Sequence, residues 1–246
     1  MTLNSPDLGE QALSKVAEVG IANQLDKVDK LNIDIRTNPG KLIQGEVDSV
    51  AISGRGMVMK QDLRIESIEV QTAKVSINPL SVIFGSIELD QPADANAQIV
   101  LTEDDLNRAI ASDYLASKLQ DLKLEIDEQL HTIKLQQADL QLLSAGTMSL
   151  NINFLLQESN EAKTLSASII PKAIEDGQRI DLEILSIEGQ GLTPELGIAV
   201  LNQIKTLLDL NNFDLPGMTL WLQKFDIQAG KMIIHVKTNI QQIPSF

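Results

Sequence analysis

The sequence contains no cysteine, which excludes disulfide bonds and thiolate metal sites. Aromatic residues make up only 3% of its 246 residues, so the core must be built from Leu, Ile and Val. No stretch approaches the ~18 consecutive apolar residues of a membrane-spanning helix. Residues 1–10 are polar and lack the apolar centre of a signal peptide. We therefore expect a cytoplasmic protein whose contact with any membrane is peripheral.

Basic residues are also scarce, with 20 Lys and Arg against 34 Asp and Glu and a net charge of −14. This charge repels nucleic acid, and the aromatic platforms that stack on bases are missing, so we exclude nucleic acid as a partner. An acidic surface disfavours anionic lipid, so membrane contact must be local. In residues 220–246, Lys224, Lys231 and Lys237 outnumber the single acid Asp226. This segment is a candidate docking edge, with scattered surface charge as the other interpretation.

Hydrophobic residues are abundant, at 43% of the sequence, and they first appear with helical spacing. The apolar positions of the first predicted helix cover more than half of its circumference, at Leu8, Ala12, Leu13, Val16, Ala17, Val19, Gly20 and Ile21. That arc is wider than a surface helix needs. We therefore expect a sheet to wrap this helix and to bury Val16 and Val19 against its concave face.

Strict alternation of apolar and polar residues then predicts many strands, which is typical of an antiparallel sheet with one buried face. Two further helices are predicted to begin at Thr102, where Asp105 completes a capping box, and at Thr193. The predicted fold class is α+β. We expect a long, highly curved antiparallel β-sheet wrapped around the N-terminal helix, with two further helices, in a single domain spanning residues 1–246.

An internal similarity links two parts of the chain. Residues 135–141 read Leu-Gln-Gln-Ala-Asp-Leu-Gln, and residues 222–228 read Leu-Gln-Lys-Phe-Asp-Ile-Gln. Each segment is followed by Ala-Gly-x-Met, and each follows a helix entered by Leu-Thr. Duplicated helix–hairpin units near 101–156 and 192–240 would explain the similarity. Chance agreement between two alternating hairpins is the other interpretation.

A search for catalytic motifs finds none. His131 and His235 lie outside metal-binding spacings, and no nucleophile elbow is present. The glycine pairs within 54–56 and 189–191 lack the remaining residues of a nucleotide-binding loop. The acidic residues 103–105 occupy the first turn of a predicted helix, where carboxylates favourably oppose the helix dipole. We expect no enzyme activity, no metal and no cofactor.

Two apolar stretches are candidates for a ligand surface. Met57 and Met59 share one face of a predicted strand, and methionine adapts to surfaces that accept variable shapes. Plain core packing is the other interpretation for this pair. Leu80, Ile83 and Phe84 form an apolar stretch directly after Pro79.

Several segments resemble the LmeA-like phospholipid-binding family, and specifically its cyanobacterial branch. The resemblance lies in residues 8–13, 35–39, 45–50, 77–80 and 101–103. It covers most of the chain and rests on patterned strands and glycines, with no catalytic signature. The resemblance implies a tubular lipid-binding fold, in which a curved antiparallel sheet wraps a helix and leaves an apolar groove for acyl chains.

The expected function is therefore the binding or transfer of phospholipid or another acyl lipid, without chemistry, with transient contact at a membrane surface. Burial of an acyl chain gains ~0.8 kcal/mol per CH₂, which a bilayer also supplies, so a groove needs only to match hydrocarbon. The alternative is a protein-interaction scaffold with a filled core, and a lipid-acting enzyme ranks third. The candidate groove lining is Leu13, Val16, Met57, Met59, Leu80, Ile83 and Phe84.

Overall fold

The computed structural model describes residues 8–59, 63–83, 88–119, 121–126, 129–210 and 217–242, without the side chains of 82, 83 and 118. The helices are α1 (Leu8–Ala22), α2 (Pro39–Ile43), α3 (Pro79–Ile83), α4 (Glu103–Ala111), α5 (Asp113–Leu119) and α6 (Pro194–Leu207). Within these ranges, none of the helices has the length and apolar character needed to cross a membrane.

Thirteen strands are described. The first six are β1 (Lys30–Arg36), β2 (Glu46–Val47), β3 (Ser49–Met59), β4 (Leu63–Thr72), β5 (Val75–Ser76) and β6 (Ala93–Thr102). The next five are β7 (Leu122–Ile126), β8 (Gln129–Leu142), β9 (Met148–Leu156), β10 (Glu161–Ile174) and β11 (Arg179–Glu188). The last two are β12 (Met218–Gln228) and β13 (Lys231–Ile240). Strand is 55% and helix 26% of the structure, which confirms the α+β class.

The strands form curled antiparallel sheets, as expected. A six-stranded sheet has the order β1-β3-β4-β6-β13-β12, and a five-stranded sheet has the order β11-β10-β9-β8-β7. A two-stranded sheet pairs β2 with β5. Residues 93–102, for which the sequence predicted no strand, form β6 at the middle of the larger sheet, between β4 and β13.

The five-stranded sheet curls around α6. This helix contacts both β7 and β11, which are the two edges of that sheet. Its side chains Leu196, Val200 and Leu201 are buried in a cluster with Phe154, which has no exposed surface. The same cluster includes Ile227 and Met232 of the larger sheet. We call it the α6 core, and it joins the two sheets.

A smaller cluster lies under α1, and we call it the α1 core. Its buried members are Leu13, Ile33, Ile35, Val47, Val75, Ile77 and Ala93. The expected burial of Val19 is wrong, because this side chain is 50% exposed, and Val16 is half-buried. The reason is that α1 lies along β1, the edge strand of its sheet, so part of its wide apolar arc faces solvent.

The two similar segments found in the sequence each contain a β-bulge at the equivalent position. The pairing of β8 with β9 shifts between Leu135 and Gln137, and that of β12 with β13 shifts between Leu222 and Lys224. The extra residue is a glutamine in both strands, at 136 and 223. A bulge is a defined local feature rather than a packing accident. The duplication, like the single-domain assignment, stays a prediction.

Candidate functional site

The seven residues predicted to line a groove occupy different environments. Leu13 is buried in the α1 core, and Val16 is half-buried on the same helix. Met57 is buried, and its sulfur fills the space where a side chain on Gly54 would lie. Met59, at the end of β3, is half-buried.

The remaining three predicted residues belong to the segment after Pro79. Leu80 is 65% exposed on α3. Ile83 ends this helix, and its side chain is not described, while Phe84 lies outside the described residues. The structure therefore places Leu13 in a core and Leu80 on a surface. The role of the seven as a lipid lining stays a prediction.

A cleft of about 620 Å³ opens between the start of α1 and the start of α2, and we call it the N-terminal cleft. It is lined by Leu8, Gly9, Glu10, Gln11, Thr37, Asn38, Pro39 and Leu42. Glu10 is the charged residue of this lining, and its side chain is buried. Leu8, Pro39 and Leu42 supply its apolar walls, and Gln11, Thr37 and Asn38 supply its uncharged polar groups.

Local sequence chemistry fixes the α2 side of this cleft. The Asn38 side chain caps α2 by accepting a hydrogen bond from Lys41 N at 2.9 Å, and Pro39 occupies the first turn. The Thr37 hydroxyl donates to the Glu46 carbonyl oxygen at 2.7 Å. These contacts turn the chain sharply after β1, which places Leu42 opposite the start of α1.

A stripe of polar side chains fixes the α1 side. The backbone N–H of Thr37 donates to Glu10 Oε1 at 2.8 Å, that of Ile35 to Ser14 Oγ at 3.1 Å, and that of Ile33 to Glu18 Oε1 at 3.3 Å. Four helical residues rise about 6 Å and two strand residues rise about 6.6 Å, so the two spacings match.

This polar stripe covers N–H groups on an edge strand, where unpaired donors would otherwise recruit another strand. The hydrogen bond from Lys15 to Glu18 lowers the pKa of the Glu18 carboxyl and favours its ionised, accepting form. Sequence reasoning missed the stripe because it drew its conclusion from the apolar positions of α1 alone. The available signal was an acceptor at every fourth position, at Glu10, Ser14 and Glu18.

A second cleft of about 470 Å³ lies between α6 and the edge strand β7. Its lining is Lys123, Leu124, Glu125, Ile126, Glu195, Ile198, Ala199, Asn202, Gln203 and Thr206. Three of these residues are charged and three carry amide or hydroxyl groups. An acyl chain entering here would displace water from those groups without replacing their hydrogen bonds, which costs free energy. The lining of the N-terminal cleft has one charged residue and three with amide or hydroxyl groups, so it is the less polar of the two clefts.

Among the ion pairs of the described residues, the one that Arg64 forms with Asp105 has the most buried carboxylate, and its role is structural. The predicted capping box is confirmed, because the Asp105 carboxylate accepts from Thr102 N and the Thr102 hydroxyl accepts from Asp105 N. Arg64 on β4 also binds Asp105, at 2.6 Å. Burial opposes ionisation, but the hydrogen bonds from Arg64 and Thr102 outweigh it and hold the pKa of Asp105 below its usual value.

In a comparison with protein families, residues 6–237 match the family described as LmeA-like phospholipid-binding. The match spans nearly the whole chain. No curated protein sequence and no solved structure matches the chain. The more specific resemblance to cyanobacterial members stays a prediction.

Proposed function

The chain belongs to the LmeA-like phospholipid-binding family, and from this membership we propose that its N-terminal cleft takes up an acyl chain of a phospholipid. The protein then binds or transfers the lipid without covalent chemistry. The observation that carries the proposal is that an apolar cleft adjoins a core. Leu42 both lines the cleft and packs against the α1 core.

The position of α1 supports entry at this cleft. Glu10 and Leu13 are its buried residues, whereas α6 has Leu196, Gly197, Val200 and Leu201 buried. Moving α1 away from β1 therefore exposes part of the smaller α1 core but leaves the α6 core intact, and water can replace the hydrogen bonds of the polar stripe. An acyl chain that enters between Leu8 and Pro39 can extend toward Leu13 as α1 shifts.

The volume and chemistry of the cleft fit this use. Ligand sites in proteins commonly span about 300–1,000 Å³ and have mostly apolar walls with a few polar groups. The N-terminal cleft lies within that range at about 620 Å³. Since apolar walls distinguish chain lengths weakly, we expect a mixture of acyl chains to be accepted.

A protein-interaction scaffold is the second candidate function. The observation that favours it is the α6 core, which the protein's own side chains fill around Phe154. A scaffold of this kind would carry no lipid after purification, whereas a lipid carrier would carry a heterogeneous set.

Native mass spectrometry of gently purified protein tests the proposal. We expect lipid adducts on the wild-type chain and their loss in Leu8→Glu, because a carboxylate in an apolar cleft resists desolvation. Leu8 is 85% exposed, so this substitution should leave the melting temperature unchanged. Ile198→Glu is the matched control, since Ile198 lines the second cleft and is 46% exposed.

Two outcomes would contradict the proposed site. Lipid adducts lost only in Ile198→Glu would place the ligand at the second cleft. A wild-type protein without adducts, which also binds no added phospholipid, would favour the scaffold.

A further inference from the structure

We propose that one end of the larger sheet is a membrane-docking surface that rests on a phospholipid bilayer. We call it the apolar tip and define it by Leu8, Ile43 and Leu80. The inference extends the proposed lipid site, because it specifies how a cleft at this end meets its source of lipid.

The three side chains of the apolar tip are unusually exposed. Leu8 is 85%, Ile43 80% and Leu80 65% exposed, and these are the highest values among the large hydrophobic side chains of the described residues. Isolated exposed leucines are common on proteins, whereas grouped ones mark interaction sites.

Contacts between neighbouring segments place the three residues at one end. Leu8 and Leu42 line the same cleft, and Ile43 follows Leu42 in α2. Gly45, just after α2, lies so close to Pro79 that a side chain there would approach the proline ring to 3.2 Å. Pro79 begins α3, which carries Leu80. The starts of α1 and α3 therefore flank α2.

The three segments that carry the apolar tip contain few charged residues, although the protein as a whole is acidic. The segments 8–11, 37–45 and 77–81 contain two charged residues, Glu10 and Lys41, although the whole chain has 34 acids. Glu10 is buried against Thr37 N, and Lys41 is paired with Asp48. The tip can therefore enter the interfacial region of a bilayer without carrying unpaired charge into it.

Several backbone polar groups at the tip are already hydrogen-bonded within the protein, which suits a region poor in water. In α2, Gln44 N donates to Lys41 O at 2.9 Å and Gly45 N donates to Leu42 O at 3.0 Å. At α3, the Asn78 side chain accepts from Leu80 N at 3.0 Å, and the Ser81 hydroxyl donates to Asn78 O at 2.8 Å. Polar backbone groups that are already bonded cost less to dehydrate.

The surface that the tip fits is an uncharged phospholipid bilayer. A net charge of −14 repels anionic lipid, whereas zwitterionic lipid offers an apolar interior without that repulsion. Docked in this way, the protein would hold the mouth of the N-terminal cleft, with Leu8 at its rim, against the bilayer. A lipid chain could then leave the membrane without crossing water.

Flotation with vesicles of zwitterionic phosphatidylcholine tests this inference. Ile43→Ser combined with Leu80→Ser removes two tip residues that do not line the cleft, and we expect vesicle affinity to fall about tenfold or more. Leu130→Ser combined with Leu185→Ser is the control, because these leucines are 63% and 51% exposed on the five-stranded sheet. We expect the control variant to bind like wild type, and added salt not to weaken binding.

The inference is overturned by any of three results. These are a wild-type protein that does not float, a tip variant that floats like wild type, and equal losses in both double variants. Charge reversal of Lys224, Lys231 and Lys237, which are exposed on β12 and β13, tests the other docking edge. Binding that disappears in this variant and weakens with salt also overturns the inference.

A second measurement separates docking from lipid uptake. Dihexanoyl phosphatidylcholine below its micelle-forming concentration reaches the cleft without a bilayer. We expect the single variant Ile43→Ser, which changes a residue outside both the cleft lining and the predicted groove lining, to bind this monomeric lipid like wild type while floating less well. If neither protein binds the monomer but flotation still depends on the tip, the proposed cleft fails and docking stands.

Discussion

The two regions of this protein hold their helices by different physical means. The five-stranded sheet encloses α6 through apolar burial, with Val200 and Leu201 1% and 0% exposed. The edge of the six-stranded sheet holds α1 through hydrogen bonds from backbone N–H groups to Glu10, Ser14 and Glu18. Hydrophobic burial is lost when such a helix leaves, whereas water can replace hydrogen bonds to exposed strand edges.

This difference indicates where the protein would open to admit a ligand. A ligand that displaces α6 must dismantle the core that joins both sheets. A ligand that displaces α1 breaks the hydrogen bonds of the polar stripe and exposes Leu13 and part of a smaller core. The proposed cleft and the apolar tip both lie beside α1, which we expect to move at a lower cost in free energy than α6.

The same substitution in both helices tests this difference most directly. We expect Leu201→Ala to lower the free energy of unfolding by about 4 kcal/mol, because a closed core cannot collapse onto the cavity. Leu13→Ala should cost about 2 kcal/mol, since α1 can settle against β1. Urea denaturation of both variants measures the difference. Equal losses would mean that α1 is as firmly integrated as α6.

The second test concerns the ion pair at the contact between the two regions. Arg64 on β4 binds Asp105 on α4, and α4 also packs on β8 of the other sheet. Arg64→Met leaves a buried carboxylate unpaired, and we expect a loss of about 2–3 kcal/mol at neutral pH. The control is Lys172→Met, which breaks an exposed pair with Glu183 and should cost at most about 0.5 kcal/mol.

The pH dependence of this loss has a definite sign. The pKa of Asp105 in the folded protein lies below its ordinary value of 3.8, so ionised Asp105 stabilises the fold above that pH. This stabilisation disappears as pH falls through the folded-state pKa. Without Arg64, burial should raise the pKa of Asp105, so the deficit of Arg64→Met should shrink on acidification. A deficit that does not change with pH would assign the effect to packing of the arginine stem.

Local chemistry made part of the fold predictable from the sequence. The helix starts at Thr102 and Thr193 were predicted from capping residues, and both side chains cap as expected. Most alternating segments are strands because alternation directly encodes one buried face. The strand at residues 93–102 was missed because alanine, at 93, 95 and 97, supplies its alternating apolar positions, and alanine is a poor strand former.

Long-range pairing could not be predicted in the same way. The pairing of β6 with β13 joins residues 93–102 to 231–240, and no local pattern specifies it. The division into two sheets depends on such pairs. The wide apolar arc of α1 could not show which part of it would be covered, so Val19 was expected inside and is half exposed. The N-terminal cleft was missed because residues from two distant segments, 8–11 and 37–42, form it.

The substitution with the smallest expected effect on stability removes one acceptor of the polar stripe. Ser14→Ala removes the acceptor for Ile35 N, and we expect a loss of about 1 kcal/mol with about fivefold faster hydrogen exchange at that amide. Glu18→Gln keeps a carbonyl oxygen for Ile33 N, so a smaller change is expected there.

The amides of β9, in the middle of the five-stranded sheet, serve as an internal control and should exchange at the wild-type rate. Unchanged exchange at Ile35 would show that the stripe does not protect the edge. Faster exchange in β9 as well would show that α1 and the α6 core open together, and the contrast between the two regions would then be wrong.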